Sequence, residues 1–193
     1  MQESILLIIL IIITFVFFFI NKNELIYIKS EYNDKEYLVN NDEIKQDRAN
    51  LLSLISIKLF ALKKFLNKNI NKYPEYKKYI ININKNFLEN RTEIIETDLN
   101  SSYTSYSVNK GDELYFCLTS KTTNELHDIN ILMYVALHEL AHIACPEIGH
   151  TPLFKKIFAF LVNISTELNI YKYINYNINP LEYCGMELNS SIT

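Results

Sequence analysis

Hydrophobic and polar positions divide the chain into an N-terminal apolar segment and a longer, mixed remainder. Residues Ile5–Ile20 carry no charge, which indicates a membrane-spanning helix, although 16 residues cover only about 24 Å. A thin bilayer, or the side chain of Lys22 reaching the interface, would accommodate this length. A cleaved signal peptide is the alternative, but no basic residue precedes the segment and no small residues follow it. We therefore predict an uncleaved membrane anchor over residues 1–21 and a single domain over residues 22–193.

In the remainder, the spacing of apolar residues changes between strand and helix periods. Glu24–Val39 alternates apolar and polar residues around a central Asn-Asp, which predicts a β-hairpin. From Asp42 to about Asn67 the apolar residues fall on one helical stripe, which predicts a long core-packing helix capped by Asp42. The aromatic stretch Tyr73–Phe87 has no clear assignment. Short strands are expected at Glu93–Thr97, Tyr103–Val108 and Glu113–Leu118, with a turn joining the last two.

Two helices with recognisable starts follow. Asp128 is the predicted N-cap of a buried helix over Ile129–Ala144. The Thr151-Pro152 pair predicts the start of a final helix that ends near Leu168. The tyrosine-rich segment that ends at Leu188 is expected to wrap over the core mostly as irregular structure, with room for one strand.

The buried helix carries the motif His-Glu-x-x-His. His138 and His142 are four residues apart, so both imidazoles leave one face of the helix, as two ligands of a tetrahedral metal must. Glu139 lies on the same turn, off the ligand axis, where it can take a proton from a metal-bound water. His150 follows a helix-breaking segment and is the natural third ligand, which leaves a fourth position open.

Other interpretations of these residues remain open. The histidines could pack in or cap a helix without any metal, as in an interaction module, or the motif could be intact and catalytically idle. Cys145 lies in the gap before His150 and is an alternative ligand. Three imidazoles and a water already complete a site, however, and a thiolate would quench the Lewis acidity that hydrolysis needs.

Charge and cysteine content narrow the class of protein. The formal net charge is -3 and both signs are interspersed, so no basic surface indicates nucleic-acid binding. Cys117, Cys145 and Cys184 form no Cys-x-x-Cys and leave an odd thiol, which argues against disulfides and for a reducing compartment. Lysines follow the apolar segment and none precedes it. This distribution favours a cytoplasmic location for the domain that follows the segment. We predict a single-pass membrane protein with its domain on the cytoplasmic side.

The sequence VALHELAHIACPEIGHTPLF, residues Val135–Phe154, resembles the active-site region of the WLM and SprT-like zinc metallopeptidases. In these enzymes a third His, in a Gly-His context, and then a Phe follow the His-Glu-Leu-x-His motif. The span from about Tyr103 to Met186 is more closely similar to uncharacterised proteins of large eukaryotic DNA viruses that have an N-terminal hydrophobic segment. The resemblance implies an α+β, zincin-like fold with the motif on a central helix. It also implies zinc ligation by His138, His142 and His150 and a catalytic base at Glu139.

The expected function is zinc-dependent hydrolysis of peptide bonds in a protein or peptide substrate. The cellular enzymes act on proteins crosslinked to DNA, and we do not expect this substrate for the present chain. His127 and Tyr183 are candidates for stabilising the oxyanion. The strand Glu113–Leu118 is the candidate edge strand for pairing with an extended substrate. The alternative is a membrane-anchored structural or virion assembly protein with a non-catalytic zinc site. In that case a side chain such as Cys145 or Cys184 would occupy the fourth position.

Overall fold

The computed structural model describes residues 7–15 and 24–189. Residues 7–15 form a helical segment (α1), and the rest of the predicted membrane segment Ile5–Ile20 lies outside the described residues. Within the described part of the chain, no helix is both long and apolar enough to cross a membrane. The membrane anchor stays a prediction.

The N-terminal half contains the predicted hairpin and long helix. Strands β1 (Leu25–Lys29) and β2 (Glu36–Asn40) pair antiparallel, and the turn between them passes through Asp34 with a φ of 58°. Helix α2 (Lys45–Lys68) follows. Asp42 lies before its start and accepts the backbone N–H of Ile44 at 3.1 Å, without capping the helix itself. The fully buried stripe of α2 includes Leu52, Ile55, Leu59, Leu62 and Leu66.

The stretch without a sequence assignment forms a 3-10 turn at Pro74–Tyr76 and helix α3 (Lys77–Asn86). A three-stranded sheet follows, built from β3 (Glu93–Glu96), β4 (Tyr106–Val108) and β5 (Glu113–Phe116). Strand β4 pairs antiparallel with β5, as predicted, and β3 pairs parallel with the opposite side of β5.

The strand order is therefore β3-β5-β4, so the expectation that Glu113–Leu118 forms an edge strand is wrong. Strand β5 is central because β3, from earlier in the chain, occupies its second side. The edge strand on the other side is β4. Parallel pairing between segments separated by a hairpin leaves no short-range signal in the sequence.

Helix α4 (Ile129–Ala144) is the central helix and packs against α2, α3 and α5 (Pro152–Glu167). Both predicted starts are confirmed. The Asp128 carboxylate accepts the N–H of Asn130 at 2.7 Å, and the Thr151 hydroxyl accepts the N–H of Phe154 at 3.2 Å. Strands and helices together form a mixed α+β domain, as expected.

The C-terminal segment forms a second antiparallel hairpin, β6 (Leu181–Tyr183) and β7 (Met186–Leu188), where at most one strand was expected. A disulfide between Cys117, just after β5, and Cys184, in the hairpin turn, joins this hairpin to the sheet. The prediction that the cysteines form no disulfide is wrong, because tertiary packing brings together two residues 67 positions apart. The cysteines therefore no longer support a reducing compartment, on which the predicted cytoplasmic location partly depended. Cys145 is free and buried.

A buried charge network lies where β2, α2 and β3 meet. The guanidinium of Arg48 donates to the carboxylates of Glu96 and Asp42, and the Asp42 contact is 2.6 Å. The same group donates to the Thr119 hydroxyl at 2.7 Å. Glu96 is fully buried and also accepts the backbone N–H of Asn40 at 2.8 Å. These bonds connect the hairpin and the sheet to the long helix.

Candidate metal centre

The three histidines of the motif region converge on one point. His138 and His142 project from the same face of α4, and their Nε2 atoms are 3.2 Å apart. His150, one residue before the N-cap of α5, brings its Nε2 to 2.9 Å from that of His138. One nitrogen from each ring lies within 4.8 Å of the others, so this group could hold a metal ion.

Two of the three separations fit a tetrahedral ion. Two nitrogens bound at 2.0 to 2.1 Å in tetrahedral geometry lie about 3.3 Å apart, close to the 3.2 and 2.9 Å that separate His142 and His150 from His138. Burial, together with His142 and His150, lowers the pKa of His138 to about 3. Burial, His150 and Lys110 lower that of His142 to about 4. Both imidazoles are therefore neutral at pH 7, and each keeps a lone pair that can bind a metal.

Aromatic packing from α5 holds the ligand rings in place. The ring of Phe154 stacks on His142 with a centroid distance of 4.2 Å and meets His138 edge-on at 4.9 Å. Phe158 also meets His138 edge-on, at 5.1 Å. Because both phenylalanines are buried, they restrict the rotamers of the two imidazoles.

Glu139 lies beside the histidines with only 5% of its surface exposed. Burial raises the pKa of Glu139 to about 7. The side chain of Ser107, on β4, acts in the opposite direction and favours the ionised carboxylate. A carboxyl group with a pKa near neutrality can both accept and return a proton at physiological pH.

An open cavity of about 500 Å³ gives access to this group. One wall comes from the edge strand β4 and the turn that follows it, and the other comes from α4 and the loop that leads to His150. The lining residues are Ser105, Tyr106, Ser107, Asn109, Lys110, His138, Glu139, His142, Glu147, Ile148, Gly149 and His150.

The two oxyanion candidates from the sequence are not among these lining residues. Tyr183 is buried, and its hydroxyl lies 2.5 Å from the hydroxyl of Ser105. His127 packs against the Tyr183 ring at 5.1 Å, and its Nε2 accepts the backbone N–H of Cys184 at 3.2 Å. Both residues therefore have structural partners behind the cavity wall.

The thiols do not join the histidine group within the described residues. Cys184 is in the disulfide, and Cys145 is buried outside the histidine group. Sequence reasoning missed Ser107 and Lys110, which line the cavity from the β4 edge and its turn. Neither residue belongs to a motif, and only the packing of β4 against α4 brings them to the site.

Comparison with other proteins identifies viral relatives. The chain is 45% identical over 186 residues to an uncharacterised protein of Acanthamoeba polyphaga mimivirus, an alignment that covers 95% of this chain and 93% of that protein. The chain belongs to the family of this mimivirus protein.

Shorter matches link this viral family to invertebrate iridescent viruses. An uncharacterised protein of invertebrate iridescent virus 6 is 35% identical over 86 residues, which cover 44% of this chain and 48% of that protein. One from invertebrate iridescent virus 3 is 37% identical over 67 residues, which cover 35% of this chain and 42% of that protein. No protein-family model matches the chain.

Among solved structures, the chain is similar to Wss1 from Saccharomyces cerevisiae. The crystal structure matches with a TM-score of 0.37 and 18% identity, covering 48% of this chain and 72% of Wss1. A Wss1 mutant matches with a TM-score of 0.35 and 17% identity, covering 53% of this chain and 87% of the mutant. Likeness at this level decides neither the fold nor the chemistry.

Proposed function

We propose that this protein is a zinc-dependent metallopeptidase of the WLM and SprT-like type, with a zincin-like fold. His138, His142 and His150 hold the zinc ion, and Glu139 is the catalytic base. The observation that carries the proposal is the convergence of three ring nitrogens, two of them 2.9 and 3.2 Å from the third, beside a buried carboxyl group at an open cavity.

Held by His138, His142 and His150, a zinc ion would supply Lewis acidity toward a water molecule and toward the scissile carbonyl. Glu139 accepts the proton of the attacking water and returns it to the leaving amine. Burial raises the pKa of Glu139 to about 7 in the metal-free protein, and a bound cation would lower it, so that the carboxylate is available as a base.

The substrate is proposed to bind as an extended peptide along β4. Within the described residues, β4 pairs only with β5, so its other side is a free edge. Ser105, Tyr106 and Ser107 line the cavity from this strand. Pairing of a peptide backbone with the edge would align the scissile bond across the histidine group.

The open cavity favours this function over a non-catalytic zinc site in a structural or virion assembly protein. A structural site usually has four protein ligands, whereas a catalytic site keeps one position for water. Of the two thiols that could supply a fourth ligand, Cys184 is in the disulfide and Cys145 is buried apart from the histidines. A single-pass membrane location remains part of the proposal and depends on the apolar segment Ile5–Ile20.

The test uses the full-length chain purified in detergent. Metal analysis and X-ray absorption are expected to give one zinc with three nitrogen ligands and one water oxygen. Hydrolysis is measured on a proteome-derived peptide library by mass spectrometry. Glu139→Gln should keep the zinc and lose hydrolysis, whereas His142→Ala should lose both. Hydrolysis by Glu139→Gln at the parental rate, or a sulfur atom in the ligand shell, would overturn the proposal.

A further inference from the structure

The third histidine differs from the other two in how it is held. His138 and His142 are on a buried helix, whereas His150 is exposed and follows a segment, Cys145–Gly149, without regular structure. At the tip of this segment, Ile148 is 91% exposed and Gly149 has a φ of 82°. Fixing a loop of this kind costs conformational entropy, so anything that orders it beforehand strengthens metal binding.

The start of this loop is bonded to the turn between β4 and β5. The ammonium group of Lys110 donates to the backbone carbonyls of Cys145 at 2.7 Å and Pro146 at 3.2 Å. The Asn82 side-chain amide, from α3, donates to the carbonyl of Ala144 at 2.9 Å. The carbonyls of the last residue of α4 and of the two residues after it thus have donors from other elements.

The turn that carries Lys110 is itself tightly docked. Asn109 and Lys110 both have left-handed φ values, 49° and 55°, which are uncommon for residues other than glycine. The next residue, Gly111, lies so close to α3 that a Cβ atom would be 3.0 Å from the carbonyl oxygen of Asn86. It would also be 3.2 Å from Cδ1 of Ile143 on α4. Lys110 is therefore presented from a turn with little freedom to move.

The end of the loop next to α5 is held by a separate hydrogen bond. The Thr151 hydroxyl, which caps α5, also donates to the carboxylate of Glu147 at 2.5 Å. This bond lies on the α5 side of His150, and the bonds from Lys110 lie on its α4 side. We propose that Lys110 is a positioning residue that fixes the loop carrying His150 and so completes the metal site. This inference rests on the proposed function, since it concerns the same metal.

Because Lys110 is charged, a role in ordering the loop can be distinguished from a purely electrostatic effect on the metal. Lys110 lines the cavity together with His142 and His150, and a cation beside the metal ligands would repel a bound metal ion. If charge were its only influence, removal of the ammonium group would strengthen metal binding. If Lys110 orders the loop, its removal weakens metal binding. The two roles therefore predict opposite signs.

The experiment measures zinc affinity of the full-length chain by competition with a chromophoric chelator. Lys110→Met is expected to weaken zinc binding about tenfold, as when a supporting partner of a ligand is lost. Lys110→Arg keeps two donors and should restore most of the affinity. Asn82→Ala removes the donor to the carbonyl of Ala144, one residue before the loop, and should weaken zinc binding by a smaller factor. The matched control is Lys58→Met, since Lys58 also donates to a backbone carbonyl, that of Ile170 at 3.1 Å, and does not line the cavity.

Amide hydrogen exchange of the metal-free proteins provides a second measurement. Exchange in residues 145–150 should be faster in Lys110→Met than in wild type and unchanged in Lys58→Met. Equal or tighter zinc binding by Lys110→Met, with unchanged exchange, would overturn the inference. If the wild-type protein bound no zinc, the proposed function would fail, and loop exchange alone would then decide whether Lys110 orders the loop.

Discussion

Ser107, on the edge strand β4, and Glu139, on the central helix α4, line the same cavity. The strand that is proposed to bind substrate therefore lies beside the residue that is proposed to move protons. The Ser107 side chain also favours the ionised carboxylate of Glu139, against the burial that favours the neutral acid.

Loss of the Ser107 hydroxyl is expected to move the acidic limb of activity to higher pH. Ser107→Ala removes a hydroxyl group that favours the carboxylate, so the pKa of Glu139 rises further above its ordinary value. Because only the ionised form acts as a base, kcat/KM below this pKa falls roughly tenfold for each unit of increase. The measurement is kcat/KM against pH. Thr104→Ala, whose hydroxyl faces Met186, is the control and should leave the limb in place.

Metal binding is expected to release a proton from Glu139. At about pH 6, below its pKa of about 7, Glu139 in the metal-free protein is mostly neutral, and a nearby cation favours the carboxylate. Wild type should therefore release nearly one proton more than Glu139→Gln. Calorimetry in buffers with different ionisation enthalpies measures the number of protons that each protein releases. Protons from the histidines cancel in the difference, because both proteins have the same histidines. Equal proton release by the two proteins would contradict the raised pKa.

Reduction of the disulfide is expected to destabilise the domain. Cys117 and Cys184 are 67 residues apart, and closing a loop of this length removes about 4 kcal/mol of chain entropy from the unfolded state. The free energy of unfolding in urea should fall by about this amount in the Cys117→Ser, Cys184→Ser double variant. Reducing agent should then have no further effect on that variant. Cys145→Ala keeps the disulfide and should remain sensitive to reduction.

Breaking the buried ion pair is expected to cost more than breaking an exposed one. Arg48→Met leaves the fully buried carboxylate of Glu96 without its cation, which costs about 3 to 5 kcal/mol of folding free energy. Asp34→Asn breaks the exposed pair with Lys29 and should cost less than about 1 kcal/mol. Urea unfolding of both variants gives the comparison. Similar losses in the two proteins would show that the Arg48 network does not hold β2, α2 and β3 together.

The features that could be predicted from sequence are those with local causes. The caps at Asp128 and Thr151 bond to residues two and three positions ahead, so their helices start where the sequence indicates. The separation of four residues between His138 and His142 places both rings on one face of any helix. The third histidine was predictable because the break before it must turn the chain back toward that face.

Tertiary structure decided the features that depend on distant segments meeting. Strand β5 is central, not an edge, because the earlier strand β3 takes its second side, and no local signal distinguishes that arrangement from others. The Cys117–Cys184 disulfide and the contact of Ser107 with Glu139 likewise join residues far apart in sequence. The sequence by itself determined the helix that presents two metal ligands and a base, since helical periodicity is a short-range property. Only the packing of β4 and its turn against α4 decided which strand borders the cavity and which side chains support the site, because such pairings depend on the whole chain.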